Sequence, residues 1–122
     1  MSDSVLIDWE QLEMIFGEED GEFDEDMAEL FHEFVEDGEG CLENLKAGSF
    51  DSEKDSLFRD SHKLKGSSSN FGFAKVAKAL ANIEDNMAIL TYEVFKASLS
   101  EAESAFYEST KEVRRKYLAL QN

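Results

Sequence analysis

Tyr92-Glu-Val-Phe95-Lys-Ala-Ser-Leu99-Ser-Glu-Ala102-Glu-Ser-Ala-Phe106-Tyr-Glu-Ser-Thr110-Lys-Glu-Val113-Arg-Arg-Lys-Tyr117-Leu-Ala-Leu120 places an apolar or small residue at every third or fourth position. At 100° per residue this spacing gathers them on one face of a helix and leaves the charged residues on the other. The period predicts a helix over 91–119, and no segment of the chain alternates with a strand period of comparable quality. A helix this long, wet on one side, has to bury its other side against further helices.

Moving outward, the same period recurs. Phe73, Val76, Leu80, Ile83 and Met87 predict a helix over 73–88, and Leu57, Ser61, Leu64, Ser68 and Phe71, with Phe58 beside them, predict one over 51–70. Met27, Leu30, Phe31, Phe34, Gly38, Cys41, Leu42 and Leu45 predict a helix over 24–46, with Asp24 as N-cap and Gly48 near its end. Asp8 caps a short first helix over 8–16, in which Trp9, Leu12 and Phe16 share a face. The acidic loop Gly17-Glu18-Glu19-Asp20-Gly21-Glu22 lacks the ligand spacing of an EF-hand. The expected fold is all-α: an antiparallel four-helix bundle capped by the short N-terminal helix, one domain over residues 1–122.

Composition agrees. The chain has 122 residues, no proline and ten phenylalanines, which suits uninterrupted helices around one core. Its one cysteine, Cys41, rules out an internal disulfide framework and fits a reducing compartment; on an apolar stripe it reads as a small core residue. The acidic start Met1-Ser2-Asp3-Ser4 has no signal-peptide pattern, and no apolar run is long enough to span a membrane. A cytoplasmic, monomeric protein is expected, with nuclear entry left open for a eukaryotic source.

The net charge of −16 argues against a nucleic-acid partner. The charge is unevenly spread. Residues 1–53 carry nineteen acids and one lysine, whereas residues 54–78 carry Lys54, Arg59, Lys63, Lys65, Lys75 and Lys78 against only Asp55 and Asp60. The one basic island of an acidic chain therefore surrounds His62, a surface suited to steering an acidic partner site.

Within His62-Lys63-Leu64-Lys65-Gly66-Ser67-Ser68-Ser69-Asn70-Phe71-Gly72, helical geometry puts His62 roughly 140°, Gly66 roughly 180° and Ser69 roughly 120° from the centre of the apolar stripe, with Lys65 on the flank at roughly 80°. His62 thus points outward. An exposed imidazole is a good nucleophile toward phosphorus when its far nitrogen is held by an acceptor. Lys65 would neutralise a phosphoryl group on His62, and Gly66 would leave room for a partner's loops. The chain has no phosphate-cradling glycine loop, so it would receive such a group rather than make it from a nucleotide. His32 is expected to be as exposed as His62, but it lies among Glu29, Glu33, Glu36 and Asp37 and reads as a solvated surface histidine. Glu29-x-x-His32 matches one element of a di-iron bundle, yet it faces outward and Arg59 stands where a second element needs a glutamate, so no metal site is expected.

The HxLKGxxxxxG spacing of His62–Gly72 resembles the signature of histidine-containing phosphotransfer (HPt) domains. The likeness extends through Phe73–Glu84, and the Ile7-Asp8-Trp9 start is similar to that of the yeast-type phosphorelay intermediate. Several family members carry a cysteine where Leu80 stands, a difference confined to a core position. The resemblance implies that His62 is the phosphoacceptor, Lys65 the phosphoryl-stabilising lysine and Gly66 the clearance glycine. It further implies that Glu84, 22 residues on, orients the imidazole through its other nitrogen. Arg59, Lys63, Ser69 and Lys75 would then border the partner surface. The implied partners are response-regulator receiver domains and a hybrid sensor histidine kinase; Mg²⁺ belongs to the receiver, and this chain binds no cofactor and is a carrier rather than an enzyme. Two other readings stay open: a receiver-binding module that carries no phosphate, and a metal-binding bundle.

Overall fold

The computed structural model describes residues 5–16, 25–86 and 88–117. Five helices follow in order: α1 (Trp9–Phe16), α2 (Glu25–Ala47), α3 (Lys54–Asn70), α4 (Ala74–Asp85) and α5 (Tyr92–Lys116). The described residues contain no strand. Helix α3 packs on α2 and α4, and α5 closes the ring by packing on α4 and α2. Short connections turn each bundle helix back on its predecessor. The loop expected over 17–22, the Asp24 cap, Met87 and Leu120 lie outside the described residues.

The core is aromatic. Phe16, Phe31, Phe73, Phe106 and Tyr117 are fully buried, with Leu12, Leu42, Leu45, Leu57, Leu80 and Ile83 around them. Phe34 links the group, stacking on half-buried Phe71 at 4.6 Å between centroids and meeting Phe73 edge-on at 5.0 Å. Each such ring contributes roughly 1.5–3 kcal/mol of burial free energy. Small residues make the close packing possible: a Cβ on Gly38 would lie 2.6 Å from the Phe106 ring. Cys41 is buried and its Sγ donates to Asp60 O at 3.3 Å. Burial, with Asp60 adding to it, pushes the thiol up to about 11, as expected of a core residue.

Several details depart from the sequence reading. Helix α3 begins at Lys54 rather than 51, because Phe50 turns inward against Phe95 at 5.2 Å and the chain bends over Ser49–Glu53. Helix α4 runs over Ala74–Asp85, shorter than 73–88, and turns at Asn86 before Leu90 is buried. Leu30 is exposed, since it lies roughly 75° off the centre of the α2 stripe. Tyr92 is also exposed, as the first helical residue after the Thr91 cap at the end of the bundle. His32 is half-buried instead of fully exposed, because Val35 widens the apolar face of α2.

The turn from α3 to α4 fixes the geometry next to the site. Gly72 adopts φ +73°, and Phe73 N–H bonds Ser68 O at 2.8 Å while Gly72 N–H bonds Ser69 O at 3.2 Å, a Schellman closure. Helix α1 is strapped to this turn: Asp8 N–H donates to Gly72 O (2.7 Å), Lys75 N–H to Leu6 O (3.2 Å) and Gln11 Nε2 to Asn70 O (3.1 Å). Asp8 also caps α1, accepting from Gln11 N–H at 3.2 Å. A Cβ on Gly72 would lie 2.7 Å from Asp8 O. Gly72→Ala is therefore expected to lower unfolding stability by at least about 1–2 kcal/mol, the cost of a left-handed non-glycine residue. Trp9, the one tryptophan, sits on α1, so its emission should shift as the strap loosens; denaturant titration followed by fluorescence measures both.

Candidate functional site

The site is built across α3 and α4. Helix α3 buries Leu57, Ser61, Leu64 and Ser68, which turns the opposite face outward. His62 stands on that face with its side chain 65% exposed. Helix α4 buries Val76, Ala79, Leu80 and Ile83, and the residue after Ile83 reaches the rim where the two helices meet. That residue is Glu84, whose side chain is only 9% exposed.

Glu84 Oε2 contacts His62 Nδ1, and Glu84 Oε1 pairs with Lys65 Nζ at 2.5 Å. One carboxylate thus holds both the histidine and the lysine three residues on. The Lys65 ammonium holds the Glu84 carboxyl below the usual carboxylate range, helped by His62 and opposed by burial. Reciprocally, Glu84 raises Lys65. The ionised carboxylate has no proton to give, so it takes Nδ1 as an N–H donor. In the neutral ring the lone pair then lies on Nε2, the nitrogen turned away from Glu84.

Gly66 is exposed, and a Cβ added there would meet nothing within 4 Å. Internal packing therefore does not require glycine at this position, unlike Gly38 and Gly72. Arg59, Lys63 and Ser69 are exposed around His62, and Lys75 is half-buried at the start of α4. The structure brings His62 and Lys65 together on Glu84; no hydrogen bond or ion pair links Gly66, Arg59, Lys63, Ser69 or Lys75 to the imidazole.

Two features lie beyond the sequence reading. Lys65 is tied to Glu84, whereas the sequence assigns it only to an incoming phosphoryl group. Phe58, 40% exposed, lays its ring nearly parallel to the His62 imidazole, 12° apart with centroids at 6.4 Å. The four-residue spacing of Phe58 and His62 on one helix is the signal that points to it. Among the described residues, no group of three or more His, Cys, Asp or Glu side chains is arranged to hold a metal ion, and no helix is long and apolar enough to cross a membrane.

This geometry defines a class: a helical bundle with an exposed imidazole on one face, held by a nearly buried carboxylate that also pairs with a lysine. The chain belongs to the Hpt domain family, whose model matches residues 29–121. Hpt domains serve histidine phosphotransfer in phosphorelays, interact with response-regulator receiver domains, and are phosphocarriers rather than catalysts. No curated protein and no solved structure matches the chain.

Proposed function

We propose that this protein accepts a phosphoryl group on Nε2 of His62 from a receiver-domain aspartate and passes it to the aspartate of another response regulator. The observation that carries the reading is the Glu84 carboxylate on Nδ1, which leaves Nε2, on the other side of the ring, as the nitrogen to attack phosphorus. Lys65 lies one turn along the same face and neutralises the phosphoryl oxygens once they arrive, exchanging its contact with Glu84 for one with the group. Gly66 lets the receiver's loops approach the ring. Arg59, Lys63, Ser69 and Lys75 border the docking surface, where their positive charge suits an acidic receiver pocket. The receiver supplies Mg²⁺ and most of the catalysis, and a hybrid sensor histidine kinase is the upstream source. The carrier acts as a monomer in the cytoplasm.

Incubation with a phosphorylated receiver should transfer label to this chain as acid-labile, base-stable phosphate. Stable binding with no phosphohistidine would select a pure interaction module instead. Lys65→Ala is expected to slow transfer or shorten retention by a few-fold to roughly tenfold, the range of a charge contact partly screened by water. Rapid-quench kinetics measures this, and an unchanged rate removes the role given to Lys65.

A further inference from the structure

Glu84 is held twice, by His62 Nδ1 on one oxygen and Lys65 Nζ on the other, in a side chain that is 9% exposed. A side-chain amide in this place could offer a bare Nδ1 an N–H group. A carboxylate offers only acceptor oxygens, so it holds Nδ1 solely as N–H. The difference matters once Nε2 bears phosphorus, because the ring then either keeps the Nδ1 proton or loses it.

The charges that face the ring act in opposite directions. On α3, the cations Arg59, Lys63 and Lys65 lie within three residues of His62 and disfavour a second positive charge nearby, while Asp60, two residues before it, acts the other way. From α4, Glu84 touches the ring, and Asp85 adds negative charge near Lys65. Helix α2 brings Cys41 to this part of α3, where its thiol is bonded to Asp60 O. From α1, neutral Gln11 bonds Asn70 O. Phe58 covers one side of the ring without a charge. Of these groups, the one in contact with the ring nitrogen is the Glu84 carboxylate, and a phosphoryl group on Nε2 would add further negative charge.

We propose that Glu84 keeps the Nδ1 proton on His62 throughout the phosphoryl cycle, so that the group is stored on an imidazolium ring and leaves from one. The proposal rests on His62 as the acceptor. On loading, the donor's P–O bond breaks, its aspartate leaves with the electron pair, and the Nε2–P bond forms while Nδ1–H stays. On unloading, the Nε2–P bond breaks, its electron pair returns to Nε2, and the acceptor carboxylate oxygen takes the phosphorus. The ring departs neutral and still carries Nδ1–H. No proton enters or leaves in either direction, and the leaving group is neutral imidazole rather than an anion. Glu84 is a positioning residue in this scheme, acting through His62.

The test loads the full-length chain and its Glu84→Gln variant with phosphoramidate, removes the donor, and follows phosphate loss from His62 by ³¹P NMR from pH 5 to pH 9. The wild-type protein should lose the group at nearly constant rate up to pH 8. Glu84→Gln should match it at pH 5, where bulk acid supplies the proton, and hold the group roughly fivefold longer or more at pH 8. Coinciding profiles, or a shorter-lived variant at pH 8, overturn the inference while leaving His62 as acceptor. Failure of His62 to load at all overturns both. A second measurement needs no variant: in ¹⁵N-labelled, phosphorylated wild-type protein at pH 8, Nδ1 should resonate as a protonated nitrogen, and a bare-nitrogen shift overturns the proposal.

Discussion

His62→Gln is expected to reduce phosphoryl uptake from a phosphorylated receiver by at least roughly a thousandfold, because an amide nitrogen has no lone pair available for attack on phosphorus. The fold should hardly register the change. The side chain is 65% exposed, and substitutions of this kind usually move stability by less than about 0.5 kcal/mol. Labelling by autoradiography after gel separation, beside a thermal melt, measures both. Wild-type labelling in the variant would place the acceptor elsewhere; His32, half-buried and edge-on to Phe31 at 6.3 Å, would then be the histidine to replace.

Gly66→Leu should separate stability from transfer. No atom lies within 4 Å of an added Cβ, and leucine is a better helix former than glycine, so the variant should gain about 0.5–1 kcal/mol. Transfer from a receiver should nevertheless fall by roughly a hundredfold or more, since the new side chain fills the space a partner's loops would occupy. Loading by phosphoramidate, which needs no docking, should stay near the wild-type level. Gly40→Leu is the matched control. Gly40 is also exposed with nothing near an added Cβ, but it lies roughly 155° from the packing stripe of α2. That variant should gain similar stability and keep its transfer rate. Equal loss of transfer in both would show that the effect is not clearance at His62.

Much of this architecture was legible in the spacing of single residues. The run from Phe95 through Val113 defines α5, and Leu57, Ser61, Leu64 and Ser68 define the buried face of α3. Their positions follow from a helical period that tertiary packing does not alter. The ends were less legible. Phe50 is drawn into the core beside Phe95, and that long-range contact, absent from any local pattern, delays α3 to Lys54. The outward aim of His62 also follows from periodicity. Its link to Glu84 does not, because periodicity leaves open which residue of α4 meets which residue of α3; the family resemblance pointed to the position. Neither source pointed to the pairing of Lys65 with Glu84, which depends on how a long, rotatable side chain settles beside a carboxylate at a helix crossing.

The imidazole and the carboxylate that fixes its tautomer come from different helices, joined by the turn at Gly72 and its strap to α1. A molecule in which α4 has frayed from α3 still displays His62, but with either ring nitrogen free to carry the proton. Local openings of this kind occur well below the cost of global unfolding. The proposed function is therefore tied to the integrity of the α3–α4 pair: a frayed copy keeps its histidine but loses the carboxylate that selects which nitrogen attacks phosphorus.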